Sequence, residues 1–259
     1  MKDVLAKIKK EFLKLPKEIY KHYLPDKIEN SYHQFRWLLA FGKVVCPEYR
    51  FHWPQLDWWY NQEFTDYLVR FNEEHSMNTF KRWNLLQYLK QVTTVEGDTV
   101  ECGSYTGASS FLILKRNLQS SYPKKHFIFD SFEGLSEPEE VDGDHWSKND
   151  LVTTEQELVK NIKEFEGGYK MFKGWIPTHF EKVAKKKFSF LHIDVDLYQP
   201  TFDSIVFFYP RMNSGGIIIC DDYGFSACPG ATKAIDEFMH DKPEELFLPA
   251  SGTCVIVKK

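Results

Sequence analysis

The sequence predicts an α/β fold: a doubly wound, mainly parallel sheet closed by an antiparallel hairpin, with a helical N-terminal extension. Three observations carry this. From residue 98 onward, short apolar runs alternate with helix-like segments, the pattern of βαβ units. Two of those runs, Phe190-Leu-His-Ile-Asp-Val-Asp196 and Gly216-Ile-Ile-Ile-Cys-Asp-Asp-Tyr223, end in acidic residues. The carboxyl ends of parallel strands are where such sheets bind ligands. Before residue 90 the chain is helical in pattern and crowded with aromatics. The expected division is 1–90 for the helical extension, a candidate lid, and 91–259 for the sheet domain.

The elements follow in order. Val4, Ile8, Phe12 and Leu15 fall at helical spacing in a segment, residues 1–21, with seven Lys against three acids. This is an amphipathic basic helix ending near Pro16. It reads either as a solvated helix packed on its own domain or a second subunit, or as a docking element for a membrane surface or partner. Residues 30–90 hold four of the seven tryptophans between Trp37 and Trp59. Such a stripe reads as core or oligomer interface, with a lid over an aromatic or sugar-like substrate as the alternative. Thr99–Gly103 is the first strand, Ser109–Asn117 a helix and His126–Asp130 the second strand. Lys170–Gly174, Phe188–Val195 and Gly216–Cys220 are the third to fifth strands, and Pro229–Met239 is a helix. Leu246–Val257 reads as two strands joined at Ser251-Gly252, the closing hairpin. Ser136–Asp144 is an acidic loop, expected to be mobile.

Composition narrows the function classes. A chain of 259 residues with 42% hydrophobic content can bury one large core. A net charge of -4 leaves no basic surplus for phosphates, so no nucleic-acid partner is expected. The five cysteines (Cys46, Cys102, Cys220, Cys228, Cys254) form no CxxC pair and read as reduced, buried thiols of a cytoplasmic protein. No apolar stretch is long enough for stable membrane insertion.

The acidic strand ends carry the chemistry. If the two strands are parallel neighbours, Asp194, Asp221 and Asp222 meet at one edge, where crowded carboxylates must share a proton or hold a cation. Oxygen-only ligands favour Mg²⁺, with Ca²⁺ or Mn²⁺ as alternatives. Glu101-Cys-Gly-Ser-Tyr-Thr-Gly107 follows the first strand with glycines spaced GxxxG, which lets a ligand approach the backbone. Asp130, 27 residues after Gly103, ends the second strand, where an acid can accept from two ribose hydroxyls; capping of the next turn is the alternative. The pair points to an adenosine-containing cofactor. Asp194 could both ligate a cation and accept a proton; His145 and His179 are further candidate bases, while His192 reads as a core histidine. Asp196 and Tyr198 either line the acceptor pocket or, for Asp196, cap the next helix.

These motifs resemble a family. Glu101-Cys-Gly-Ser-Tyr-Thr-Gly-Ala-Ser109, Asp130-Ser-Phe-Glu-Gly-Leu135, Lys173-Gly-Trp175, Asp194-Val-Asp-Leu-Tyr198, Asp221-Asp-Tyr223 and Pro229-Gly-Ala231 are similar, in that order, to the macrocin O-methyltransferase family. The resemblance covers roughly residues 80–257. It implies a Rossmann-like methyltransferase sheet and S-adenosylmethionine as methyl donor. It also implies a divalent metal on Asp194, Asp221 and Asp222, and a hydroxylated small molecule, sugar or natural-product intermediate, as acceptor. By the same resemblance Asp130 accepts from the ribose, Gly103 and Ser109 touch the methionine part, and Gly174 and Trp175 lie beside the adenine. The implied cofactor pocket takes in Glu101, Ser104, Tyr105, Ser131 and Asp194, with Asp194 and His145 as catalytic residues. Departures are Tyr105-Thr106, where the family usually has Trp-Arg, and Val195, where it usually has Gly. Leu197 stands where catechol O-methyltransferase, which the first motif also resembles, carries a lysine base. A homodimer is expected. The rival readings are a metal-dependent hydrolase using the same carboxylates and a non-catalytic docking protein.

Overall fold

The structure, a computed structural model, describes residues 28–45, 56–73, 76 and 78–259. The basic segment 1–21, Cys46 and Trp53 lie outside the described residues. The chain forms two compact units, Met1–Glu74 and His75–Lys259. The sequence-based boundary at residue 90 falls inside the second unit, because the helix at 78–91 is built into the sheet domain.

The first unit contains α1 (Ile28–Val45) and α2 (Gln62–Phe71). On α1, Trp37 stacks on Phe41 one turn later, with ring centroids 5.5 Å apart. On α2, Phe64, Tyr67 and Leu68 form the buried stripe, the i, i+3, i+4 spacing of an amphipathic helix. The Asn61 side chain caps its start by accepting from the Phe64 N–H, and Asn72 ends it in the left-handed region.

The second unit opens with α3 (Asn78–Gln91) and continues through β1 (Asp98–Cys102), α4 (Ala108–Asn117) and β2 (His126–Asp130). After these come α5 (Glu155–Ile162), β3 (Tyr169–Lys173), β4 (Phe188–Ile193), α6 (Tyr198–Phe208), β5 (Met212–Cys220), α7 (Pro229–Met239) and β6 (Cys254–Val257). The strands lie in the order β3-β2-β1-β4-β5-β6. All neighbours are parallel except β5 and β6. The α/β expectation is borne out.

Every residue of β4 is buried, as a central parallel strand covered on both faces requires. Alternation along β1 and β4 sorts the two faces. Val100, Cys102, Leu191 and Ile193 join an apolar layer with Phe129, Phe172, Phe180 and Phe208. Phe129 stacks on Phe172 at 4.8 Å and meets the edge of Phe180 at 5.1 Å. Each such ring contributes about 1.5–3 kcal/mol by burial, and each pair about 0.5–1.5 kcal/mol more. Thr99, Glu101, His126 and His192 are also buried, yet polar, and none belongs to this apolar layer. The register sets Glu101 directly beside His192.

Two expectations need correcting. The outer arm of the closing hairpin shrinks to a single bridge between Phe247 and Val255. Pro249, two residues further on, has no N–H to extend it. The acidic loop is anchored rather than loose: residues 140–142 form a 3-10 turn with a reciprocal cap, and Asp142 is buried. The Asp142 Oδ1 accepts from the Tyr198 N–H at 2.7 Å, capping α6 from another segment. A methyl group at Gly230 would fall 1.9 Å from that oxygen, which explains the glycine after Pro229.

The C-terminus is tied down by a buried carboxylate. Glu244 accepts from the Lys258 ammonium at 2.5 Å, from the Lys259 N–H and from the Tyr209 hydroxyl. Burial alone would raise this carboxyl, but those donors outweigh it and lower it from 4.5 to about 2. The folded-state value is depressed, so the tie stabilises the fold fully above about pH 4.5 and is lost as pH falls through about 2. Wild type should therefore lose more urea stability than Glu244→Gln between pH 5 and pH 3, compared by chemical denaturation.

Candidate active site

The carboxyl ends of β1, β2, β4 and β5 open onto one cavity of about 480 Å³, large enough for a small ligand. The parallel ladder runs one residue past each strand here. Gly103 N–H donates to the Phe129 carbonyl, Asp194 N–H to Cys102 and Asp221 N–H to Ile193, all at 2.8–2.9 Å. This places the residues after the strands side by side.

Gly103 is needed for that closeness. Its φ is +81°, and a methyl group on it would sit 1.8 Å from the Asp194 carbonyl oxygen. Tyr105 follows at φ 46°, and Gly107, at φ 89°, starts α4. The turn is held by Asp130, whose Oδ2 accepts from the Ser104 N–H at 2.7 Å, the Ser104 hydroxyl at 3.0 Å and the Tyr105 N–H at 3.1 Å. Its Oδ1 takes the Phe132 N–H at 2.8 Å. A carboxylate has about four acceptor positions, so Asp130 spends them on the first turn and its own.

The acids gather at one edge but in two groups, not as the single expected trio of Asp194, Asp221 and Asp222. Asp194 and Asp221 lie with His192, and Asp222 lies with Asp196 and Cys228. All four aspartates line the cavity. Burial, then the nearby Asp221 charge, pushes Asp194 up to about 6. Burial, then Asp194, pushes Asp196 up to about 7. Burial, then the charges of Asp196 and Asp194, raises Asp222 well above the usual carboxylate range. Asp221 goes the other way: burial would raise it, but Lys81 and His192 outweigh burial and hold it below that range.

Lys81, on α3, is the residue that sequence reasoning missed. Its ammonium donates to the Asp221 carbonyl and Oδ2, both at 2.7 Å, and lies 4.3 Å from the centre of the Phe225 ring. Burial alone would lower its pKa, but the charges of Asp221, Asp222 and Asp194 raise it, so it is a fixed cation and not a base. Asn78 and Arg82 of the same helix also line the cavity. The adjacent basic pair Lys81-Arg82 was the only signal, and an amphipathic reading of a helix assigns such residues to solvent.

The other expected residues sort plainly. Ser104, Tyr105, Ser131, His145 and Trp175 line the cavity. Glu101 and Ser109 are buried away from it. Gly174 stands behind Trp175, its N–H bonded to the Asp130 carbonyl. His179 contacts the Lys173 carbonyl at 2.9 Å and lies off the cavity, as does Tyr198, whose hydroxyl donates to Glu237 at 2.6 Å. Asp196 does not cap α6; its N–H donates to Asp222 Oδ2 at 2.9 Å, and its φ of 59° is a strained value for a non-glycine. His192 is the satisfied core histidine that the sequence suggests, 1% exposed.

Among known proteins, a family model described as Macrocin-O-methyltransferase (TylF) matches residues 66–248. That match starts upstream of the motif-based resemblance, since α2 and α3 carry no short motif. Demethyldecarbamoylnovobiocin O-methyltransferase of Streptomyces niveus is 28% identical over 180 residues, 63% of this chain and 67% of that protein. Mycinamicin III 3''-O-methyltransferase of Micromonospora griseorubida is 27% identical over 174 residues, 60% of this chain and 67% of that protein. The chain thus spans about two thirds of the length of these relatives. The solved O-methyltransferase NovP is 25% identical and superposes with a TM-score of 0.57, over 69% of this chain and 79% of that one. The calicheamicin methyltransferase CalS11 shares the fold, at 17% identity and a TM-score of 0.64, over 92% and 95% of the two chains.

Gly103→Ala should displace Asp194 and lower turnover about 100-fold, the loss that a shift of about 1 Å produces. The ratio of kcat values for variant and wild type measures this, with an unchanged kcat contradicting the close-approach account.

Proposed function

The chain belongs to the macrocin-O-methyltransferase family, and from that premise we propose the reaction and its parts. This O-methyltransferase moves the methyl group of S-adenosylmethionine to a hydroxyl of a sugar or other natural-product intermediate, with a divalent cation held by Asp194, Asp221 and Asp222. The observation that carries the reading is the convergence of the glycine-bearing first turn and four aspartates on one cavity. The named relatives, which include a mycinamicin 3''-O-methyltransferase, support the acceptor class.

The donor set fits a hard cation. Asp194, Asp196 and Asp222 are pushed up by burial and by one another's charge, the repulsion that a cation relieves. All the oxygens are carboxylate oxygens, which suits Mg²⁺, Ca²⁺ or Mn²⁺. Bound there, the ion would supply Lewis-acid stabilisation to a hydroxyl as it loses its proton.

The chain's own residues do the rest. Asp194 lines the cavity beside Gly103 and accepts the hydroxyl proton, with His145, which also lines the cavity, as the second candidate. S-adenosylmethionine bound there would supply an activated methyl group, which an acceptor oxygen could take with the neutral thioether as leaving group. Alignment of oxygen, carbon and sulfur is what the walls contribute. Trp175 offers a flat face to the adenine, and Asp130 shapes the first turn. The Ser104 hydroxyl, one of its four donors, can rotate away to leave a position for the ribose. The hydrolase and docking readings lose their basis once the family is established.

Asp194→Asn, which removes the proposed proton acceptor and weakens a proposed cation ligand, should cut methyl transfer by at least about 10³-fold. Affinity for S-adenosylhomocysteine, measured by titration calorimetry, should hold. EDTA should abolish transfer and added Mg²⁺ restore it; full activity in EDTA would sink the metal role.

A further inference from the structure

We infer that the buried chain Glu101–His192–Asp221 is a positioning device for the cation site, and that Glu101 serves that site instead of the cofactor pocket. The inference rests on the metal reading proposed above and assigns work to residues that do not touch the cavity.

Glu101 is fully buried and absent from the cavity wall. A charged group in that position must be paired to be tolerated. Its partners are His192, Ser110 and His126. The register of β1 and β4 sets it beside His192, and its Oε1 lies 2.9 Å from the His192 Nδ1. The other oxygen accepts from the Ser110 hydroxyl on α4 and lies 3.5 Å from the His126 Nε2. His192, 1% exposed, has its second nitrogen 3.6 Å from Asp221 Oδ1.

His192 is hydrogen-bonded through its Nδ1 to Glu101, and its Nε2 faces Asp221 Oδ1 across 3.6 Å, a contact longer than a hydrogen bond. The other oxygen of Asp221, Oδ2, is held by Lys81 at 2.7 Å. Asp221 is thus flanked by His192 on one oxygen and held by Lys81 on the other. Carboxylates that bind cations are oriented in this way by the groups behind them, and loss of such a group weakens binding.

The test uses the full-length protein and Mn²⁺ alone as the probe, followed through the electron paramagnetic resonance signal of the free ion, beside calorimetry with S-adenosylhomocysteine. Glu101→Gln keeps the shape and removes the charge; His192→Gln breaks the chain at its middle and stands in if the first variant does not fold. The expected result is Mn²⁺ binding about 10–100-fold weaker in each variant, with S-adenosylhomocysteine affinity within about twofold of wild type. Unchanged Mn²⁺ binding in the variants overturns the inference. So does S-adenosylhomocysteine affinity falling with Mn²⁺ binding intact, which would return Glu101 to the cofactor pocket. A parallel loss of both ligands marks a purely structural role and overturns it too. If His192→Gln abolishes Mn²⁺ uptake while Glu101→Gln preserves it, His192 is a ligand and the chain is not a positioning device. Wild type that takes up no Mn²⁺ overturns the metal reading itself, an outcome distinct from the others.

Discussion

Mutual repulsion among carboxylates at one edge of the sheet is the constraint around which the second unit is arranged. Glu101, Asp196, Asp221 and Asp222 are buried and Asp194 is half-buried. Removing such charges from water costs several kcal/mol per ion after relaxation. The fold answers from two directions: the Lys81 ammonium reaches in from α3, and His192 stands between Glu101 and Asp221. The strain that remains falls on Asp194, Asp196 and Asp222, whose carboxyls are pushed up. That imbalance is the repulsion that the proposed cation would relieve.

Other features serve the same arrangement. Gly103 lacks a side chain because the Asp194 backbone passes where one would be. Asp142, in a loop rich in acids, turns inward to cap α6, which begins two residues after Asp196. Gly230 leaves room for it. Motifs that look separate in the sequence are therefore parts of one packed unit, in which Gly103 and Gly230 each mark a close approach.

The sheet was legible because parallel strands buried on both faces leave apolar runs, and β2, β4 and β5 begin and end within a few residues of such runs. The acids of the site were legible because Asp194, Asp221 and Asp222 directly follow such runs. What could not be read was whatever depends on register or on a distant helix. Glu101 and His192 are 91 residues apart, and only the β1–β4 pairing makes them partners. Lys81 looks like a solvent-facing residue of an amphipathic helix until α3 is seen on the cavity wall. The Asp142 cap looked like one more exposed acid in a polar loop. The outer hairpin arm was over-read, because a turn signal at Ser251-Gly252 says nothing about how many bridges the flanks can sustain.

The central claim is that these carboxylates hold a divalent cation beside the methyl donor. Anomalous diffraction from crystals grown with Mn²⁺ and S-adenosylhomocysteine tests it most directly. The account predicts a single strong peak about 2.0–2.6 Å from oxygens of Asp194, Asp221 and Asp222, with the cofactor in the same cavity. A cofactor-loaded cavity with no peak at those aspartates would contradict it.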